Sequence, residues 1–244
     1  MAASCKWVRF DLNCLSPLLT LNPATEYALK AVELENITAV ALRSGSCAVV
    51  ATQKENIDKY AVPRSTSNLF TFNKTIGCCM VGRMDPTGDA LHQMKLAQHI
   101  AYLFSCDCDY QIPVDVLCHR VANLSQVHTQ NSLMRVLGCC MILISYDDET
   151  GPTVYKTDPS ANCSGFKACA VGTHSVKATK YLEQKYRRDL SQDKAIQLAI
   201  NCLLHVRSND SEEATIEVGV VSKCDPNFRI LSDREIEEFL SNDD

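Results

Sequence analysis

Cysteine and histidine are the residues whose chemistry stands out first in this chain, which has 14 Cys and six His among 244 residues. Both can bind metal ions, and together they can act as nucleophile and base. The Cys residues, however, lie in apolar runs such as 76–82, no Cys-x-x-Cys pair occurs, and Cys106 and Cys108 lack a second pair at zinc-finger spacing. We therefore expect no metal site, no cofactor, and mostly buried, reduced thiols of a cytosolic or nuclear protein rather than the disulfides that an even count permits.

The histidines do not follow a catalytic or metal-binding pattern. His92 and His99 lie seven residues apart on one predicted helix, whereas a metal-binding pair favours a spacing of four. His128 lies on the apolar stripe of its helix, which favours a partly buried structural residue. The sequence also lacks G-x-x-x-x-G-K-[ST], G-x-G-x-x-G, G-x-S-x-G and H-E-x-x-H motifs. It therefore gives no support to a phosphate-binding loop, a serine-hydrolase elbow or a zinc protease.

Charge and the length of apolar runs argue against two further classes of partner, nucleic acids and membranes. Lys+Arg 24 against Asp+Glu 29 gives a net charge of −5, which argues against nucleic-acid binding. No apolar run approaches the ~20 residues of a membrane span, and the first residues resemble no secretory signal. A basic patch of Lys180, Lys185, Arg187 and Arg188 is interpreted as a solvated helix face, with a nuclear-import signal as the alternative.

The elements that must position any site follow from hydrophobic periodicity. Short apolar or alternating runs predict strands at 38–42, 47–52, 69–72, 76–82, 139–144, 154–155, 166–171, 215–221 and 228–231, with Gly151-Pro152 as a hairpin turn. A helix opens at Thr25-Glu26 and stops near Asn36, and a capping box from Ser232 to Glu235 begins the last helix. Four further helices carry apolar stripes at Leu91, Met94, Ala97, Ala101 and Phe104; at Val114, Leu117, Val121, Leu124 and His128; at Val176, Thr179, Leu182 and Tyr186; and at Ile196, Ala199, Ile200 and Leu203.

The order of these elements predicts the fold class. Helices come in pairs between blocks of strands and do not alternate singly with them, so a doubly wound parallel sheet is not expected. Several strands are apolar on both faces and need cover on both. Two packed sheets with a helix layer outside each satisfy this requirement. We therefore predict an α+β protein with a four-layer αββα sandwich, formed by one domain over 25–244 after a segment of residues 1–24.

Several short motifs occur in order along nearly the whole chain. They are Phe10-Asp11, Ser16-Pro17, Glu26-Tyr27-Ala28, and the runs 47–54, 112–115, 126–130, 135–143, 158–159, 165–168, 217–221 and 228–231. Together they resemble proteasome α-type subunits, and the run 137–144 is most similar to the type-6 (iota) members. The resemblance implies the N-terminal-nucleophile hydrolase fold, a heteromeric ring shared with other α-type subunits, contact with β-type subunits and activator particles, and a place in the cytoplasm and nucleus.

The resemblance also bears on catalysis. Catalytic β-type relatives use an N-terminal Thr, whose own amine serves as base, beside an Asp and a Lys. The corresponding positions fall near Ile37, Gln53 and Asn68, and Thr38 is adjacent without a free amine. The expected function is a non-catalytic ring subunit that scaffolds assembly and restricts substrate access in ubiquitin-dependent proteolysis. An active hydrolase and a diverged paralogue that acts as a binding or assembly module outside the ring are the alternatives.

Two groups of residues are carried over from the family. In the segment 1–24, which would help to gate the channel, Phe10, Asp11, Ser16 and Pro17 match the family pattern, whereas Leu12 and the run 18–21 replace an Arg and a Gly-containing turn. Asn68 replaces a Lys that receives activator carboxylates in many α subunits.

Contacts between subunits are expected at the first helix and at the segment 126–138. The residues proposed for these contacts are Leu34, Leu133, Arg135 and Val136.

Overall fold

The computed structural model describes residues 23–54, 67–84, 87–131, 133–207 and 215–241, and within them it has ten strands and six helices. In chain order these are α1 (Pro23–Leu34), β1 (Thr38–Arg43), β2 (Cys47–Lys54), β3 (Leu69–Thr71), β4 (Ile76–Gly82), α2 (Asp89–Cys108), α3 (Val114–Gln130), β5 (Cys139–Asp147), β6 (Gly151–Thr157), β7 (Cys163–Gly165), β8 (Ala168–Gly172), α4 (Ser175–Lys185), α5 (Gln192–Arg207), β9 (Thr215–Ser222), β10 (Arg229–Ile230) and α6 (Asp233–Ser241). None of the helices in these ranges is long and apolar enough to cross a membrane.

The strands form two antiparallel sheets of five strands each. The first sheet has the order β10-β9-β2-β1-β8, and the second has the order β3-β4-β5-β6-β7. Three apolar cores separate four layers: α4, α5 and α6 pack on the first sheet, the two sheets pack on each other, and α2 and α3 pack on the second sheet. The predicted αββα sandwich is therefore confirmed.

Alternation along the strands explains why these runs are apolar on both faces. In β1, Val40 and Leu42 join the core under the first sheet's helices, while Ala39 and Ala41 join the core between the sheets. Smaller side chains thus face the second sheet and larger ones face the helices. The stripe predicted for α5 is confirmed, because all four of its residues are buried.

The stripe predicted for α3 is partly wrong. Leu124 faces solvent, and Ser125 takes the buried position beside it. The hydroxyl of Ser125 donates to the carbonyl of Val121 at 3.1 Å and accepts from Gln93 Nε2 at 2.8 Å, while the thiol of Cys139 donates to Gln93 Oε1 at 2.8 Å. Hydrogen bonds between α2, α3 and β5 therefore satisfy a polar pair inside this layer.

Other differences from the predicted elements are local. The stripe predicted for α4 is partly wrong, because Val176 and Thr179 are exposed and Ala178 is buried instead. Gly151 and Pro152 begin β6, so the turn precedes them. Strand β7 was not predicted, because its three residues are too few for alternation to show. Asn36, at φ 52°, is left-handed just after α1, as expected for a helix stop.

The ring of Phe228 lies over a glycine from each sheet. A Cβ on Gly77 in β4 or on Gly219 in β9 would overlap this ring, so both positions must lack a side chain. The amide of Phe228 donates to the carbonyl of Lys74 at 2.8 Å and holds the ring-bearing loop against the second sheet. Phe228 therefore ties the two sheets together.

Candidate functional site

Helix α1 lies across one open end of the sandwich. It packs against β4 and β5 of the second sheet and β8 of the first, and Val32 enters the core between the sheets. The hydroxyl of Thr173 donates to the carbonyl of Glu33 at 2.7 Å. Gly138, just before β5, lies against Ala31 and Ala28 of this helix. The cleft between the sheets is thus closed at this end by α1.

Thr38, which is adjacent to the position of a catalytic threonine, is completely buried at the start of β1. Its Oγ1 has no hydrogen-bond partner in the part of the chain that the structure describes. Ile37 before it also packs against the core between the sheets. A nucleophile needs a base within hydrogen-bond reach and an approach for substrate, and this hydroxyl has neither.

The structure brings together the two other positions that the family comparison singled out. Because Ala39 pairs with Thr52, the first residue of β1 lies beside Gln53 at the end of β2. Asn68 Nδ2 donates to the carbonyl of Gln53 at 3.4 Å, and both side chains are buried. The location of a catalytic centre is therefore preserved, but neither an acid nor a cation is present at these positions.

Glu217 completes this polar cluster and was not predicted as a site residue. Its Oε2 accepts from the hydroxyl of Ser67 at 2.8 Å and from the amide of Asn68 at 3.3 Å. Glu217 lies 149 positions from Asn68 and reaches it only because β9 pairs with β2. The one signal in the sequence is an acidic residue inside the apolar strand 215–221.

Buried thiols near this cluster do not supply a nucleophile either. Burial raises the pKa of Cys79 in β4 to about 12, and burial likewise raises the pKa of Cys169 in β8 to about 12. Both remain protonated at neutral pH, so neither forms the thiolate that attacks a carbonyl. The 12 described cysteines are free, and eight of them are buried, which agrees with the mostly buried thiols expected from the apolar runs. The described residues contain no group of His, Cys, Asp and Glu that could hold a metal ion.

The expected contact residues lie on a surface beside α1. Leu34 at the end of α1 is 79% exposed, and Leu133 is 93% exposed. Arg135 is exposed as well, whereas Val136 is buried inside the chain and adds little to this surface. The gate residues Phe10, Asp11, Ser16 and Pro17 lie outside the described residues.

An ion pair holds the segment after α3 in place. Arg135 Nη1 and Nη2 bind Asp89 Oδ2 and Oδ1 at 2.8 and 2.5 Å, and Asp89 Oδ2 also accepts from the amide of Gly138 at 2.8 Å. Asp89 is the first residue of α2, where a negative charge complements the helix dipole. His128, partly buried as predicted, has its Nδ1 3.1 Å from the carbonyl of Arg135. These bonds therefore hold the segment 135–138, which follows the exposed Leu133, against the start of α2.

The outer side of the α2–α3 layer carries several large apolar side chains among exposed polar and charged ones. These apolar side chains, which continue beyond α3 to Leu133, are Tyr102, Leu103, Tyr110, Leu124, Val127 and Met134. Large exposed apolar patches on a soluble protein mark surfaces that meet partners. The candidate functional site is accordingly a contact surface and not a catalytic centre.

Comparison with known proteins agrees with this arrangement. The family model for proteasome subunits matches residues 35–221. The chain is 37% identical to proteasome subunit alpha type-6 of Caenorhabditis elegans over 88% of this chain and 87% of the relative. It is 35% identical to a probable proteasome subunit alpha type-1 of Schizosaccharomyces pombe, over 89% and 88% of the two chains, and 32% identical to proteasome subunit alpha of Pyrococcus abyssi, over 88% and 80%.

These matches confirm the resemblance expected from the motifs, including the similarity to type-6 members. They also agree with Ile37, Gln53 and Asn68 at the positions where a catalytic subunit has its threonine, acid and cation. The chain belongs to the family of proteasome subunits, among which it is a non-catalytic subunit of the α type.

Proposed function

We propose that this chain occupies one position of a heteromeric α ring in a proteasome core particle, with other α-type subunits beside it and a β ring below it. There it scaffolds assembly and restricts substrate access to the catalytic chambers of ubiquitin-dependent proteolysis. The observation that carries this proposal is a cleft that α1 closes and that has Ile37, Gln53 and Asn68 at the catalytic positions, together with the exposed apolar side chains of Leu34 and Leu133. Interfaces in obligate assemblies are large and rather apolar, and an exposed apolar surface of this kind is suited to form one.

The surface around Leu34 and Leu133 is the proposed contact with a neighbouring α-type subunit. Both side chains are largely exposed, and the ion pair of Arg135 with Asp89 holds the segment just after Leu133 against α2. Preorganisation of this kind lowers the entropy lost on association. The exposed apolar side chains of α2 and α3 offer a second contact, which we assign to the β ring.

The region around Asn68, which would line a pocket between neighbouring subunits, is proposed to bind activator particles weakly. Activator tails end in a carboxylate, and a lysine at this position would pair with it. Here Asn68 brings no charge, its side chain is engaged by Gln53, and the carboxylate of Glu217 already accepts from its amide. A second carboxylate would meet repulsion from Glu217 and no cation to offset it.

Residues 1–24 are proposed as a gate segment because Phe10, Asp11, Ser16 and Pro17 match the family pattern. In assembled particles, deletion of the residues before Phe10 should raise the rate of peptide hydrolysis by unchanged β subunits. Equal rates for the full-length and shortened subunits would remove this segment from the gate. The proposed compartments are the cytoplasm and nucleus, which fractionation of cells that carry a tagged chain would test.

Co-purification tests the assembly itself. A tagged chain should recover an intact core particle whose native mass contains one or two copies of it, whereas the chain alone should hydrolyse no fluorogenic peptide. Recovery of the chain without α-type and β-type subunits would overturn the proposal and favour a binding or assembly module outside the ring. Turnover by the isolated chain that disappeared with Thr38→Ala would instead support an active hydrolase.

A further inference from the structure

The basic patch at the end of α4 lies only partly on a helix. Helix α4 ends at Lys185, so Arg187 and Arg188 belong to the loop 186–191 that leads to α5 and not to a solvated helix face. Both arginine side chains are exposed, and the exposed Ser191 ends the same loop. Two cations therefore stand three and four residues before a serine that solvent reaches.

Few contacts hold this loop in one conformation. At its start the hydroxyl of Tyr186 donates to a carbonyl of β1 at 2.8 Å, and near its end Leu190 packs against the core under α4 and α5. Between these anchors, the backbone of 187–190 forms one hydrogen bond to another described segment, from the amide of Gly45 to the carbonyl of Arg188 at 3.0 Å. A small local opening therefore frees the stretch around both arginines without disturbing either helix.

This loop lies away from the contacts proposed for the ring. Those contacts use α1, the segment 126–138 and the α2–α3 layer, which covers the second sheet. The loop 186–191 instead connects two helices that cover the first sheet, on the opposite side of the sandwich. If the ring proposal holds, the loop stays accessible to an enzyme in the assembled particle, and in the free chain it is accessible in either case.

We propose that Ser191 is a phosphorylation site for a protein kinase that selects arginine before the acceptor serine. Carboxylates in the substrate groove of such a kinase pair with guanidinium groups, which offer planar, two-pronged hydrogen bonds. The hydroxyl oxygen of Ser191 then attacks the γ-phosphorus of ATP, and the bond from this phosphorus to the β–γ bridging oxygen breaks. ADP leaves, and the hydroxyl proton passes to the catalytic aspartate of the kinase.

Phosphorylation would change both the basic patch and the helix that follows it. The phosphate brings about 1.5–2 negative charges close to Arg187 and Arg188 and offsets their positive charge. The carbonyl of Ser191 accepts from the amide of Ala195 at 2.9 Å, so this serine begins α5. There the phosphate meets the positive end of the helix dipole, and amide hydrogen exchange in the first turn should slow roughly threefold, although the carboxylate of Asp193 opposes the effect.

Phosphopeptide mapping of the purified full chain tests the proposal. The chain is incubated with MgATP and a calmodulin-dependent protein kinase, which selects arginine three residues before the serine, and is then digested with trypsin. Cleavage after Arg188 and Lys194 releases peptide 189–194, in which Ser191 is the only residue with a hydroxyl side chain. This peptide should gain the mass of one HPO₃ group, and the gain should disappear with Ser191→Ala.

Substitutions before the serine show whether the arginines direct the reaction. Arg188→Ala should lower the initial rate of phosphorylation roughly tenfold, because one charge-assisted contact with the kinase is lost. Lys180→Ala removes an exposed cation of α4 and should leave the rate unchanged. Asp189→Asn should raise the rate, since its carboxylate lies next to Arg188 and competes with the kinase for the guanidinium.

Two results would overturn the proposal. An unmodified peptide 189–194 from the wild-type chain would show that the folded loop does not enter the kinase. An equal rate for Arg188→Ala and wild type would assign the reaction to the residues after the serine, Gln192 and Asp193. The substituted side chains are all exposed, so the far-ultraviolet circular dichroism of each variant should match that of the wild type.

Discussion

The two helix pairs perform the same structural task and differ in what they leave exposed. The pair α4 and α5 buries small and branched apolar residues against the first sheet, and among its described residues only Val176 and Leu204 are large apolar side chains left exposed. The pair α2 and α3 covers the second sheet equally well but leaves tyrosines and leucines on its outer face. It also contains the hydrogen-bonded group of Gln93, Ser125 and Cys139.

The difference indicates that the α4–α5 layer, called the first layer below, serves folding, whereas the α2–α3 layer, called the second layer, also offers a surface to partners. The first layer is complete by itself, because nearly all its apolar area faces its own sheet. The second layer has apolar area left over, and the ion pair of Asp89 with Arg135 fixes the loop that extends it. We infer that both layers contribute to folding, and that the α2–α3 layer in addition provides a surface for assembly.

The largest effect is expected inside the first layer. Ile200→Ala in α5 should lower the free energy of unfolding by about 2–5 kcal/mol, because the side chain is 1% exposed and its removal leaves a cavity. Leu204→Ala on the outer side of the same helix should cost well under half as much. Chemical denaturation followed by circular dichroism measures both values. If the two variants lost the same free energy of unfolding, the apolar side chains of α5 would not be directed mainly toward the first sheet.

A smaller effect on folding is expected at the ion pair of the second layer. Asp89→Ala should lower the free energy of unfolding by ~1–3 kcal/mol, because it leaves the amide of Gly138 without its acceptor. Arg135→Ala should cost less than ~1 kcal/mol, since the Arg135 side chain is 73% exposed and its charge is screened by water. If Arg135→Ala lowered the free energy of unfolding more than Asp89→Ala in the same assay, Asp89 would not be the residue that stabilises this segment.

A substitution on the exposed surface beside α1 is expected to reduce assembly without lowering the free energy of unfolding. Leu133→Asp should reduce incorporation into the core particle about tenfold, which corresponds to ~1.4 kcal/mol, and should leave the free energy of unfolding within ~0.5 kcal/mol of wild type. Val176→Asp is the matched control, because it places the same charge at an exposed apolar residue of the first layer. Pull-down of differently tagged variants from one culture measures the ratio. Normal incorporation of Leu133→Asp would remove this segment from the contact.

The smallest effect is expected at Glu235, where the pH dependence can be worked out. The backbone amide of Ser232 and the side chain of Arg229 lower its pKa from 4.5 to about 2. Since the folded pKa is the lower one, ionised Glu235 stabilises the fold above about pH 4.5, and this stabilisation is lost as the pH falls toward 2. The side chain is largely solvated, so screening reduces its contribution to ~0.5–1 kcal/mol.

Glu235→Gln should therefore flatten the stability curve between pH 5 and pH 2 and increase hydrogen exchange in α6. Glu238→Gln on the same helix is the control. An unchanged curve for Glu235→Gln would show that the capping box does not hold α6 in place.

The sequence predicted correctly those helices and strands in which one hydrophobic periodicity continues along the whole element. The stripe of α5 and the doubly apolar strands follow from spacing alone, and with them the four layers. It failed at Leu124, because Ser125 is buried only when Gln93 from another helix satisfies its hydroxyl. Likewise, Glu217 reaches Asn68 through strand pairing between distant segments, and no local pattern reports such a contact.

The ring of Phe228 has a consequence for how this sequence can change over time. Because the ring fills the space above Gly77 and Gly219, a first substitution at either glycine would be selected against while Phe228 remains. A smaller residue at 228 has to appear before either glycine can acquire a side chain, and that intermediate carries an unfilled gap between the sheets. Substitutions at these three positions are therefore expected to occur in one order, with position 228 changing before either glycine.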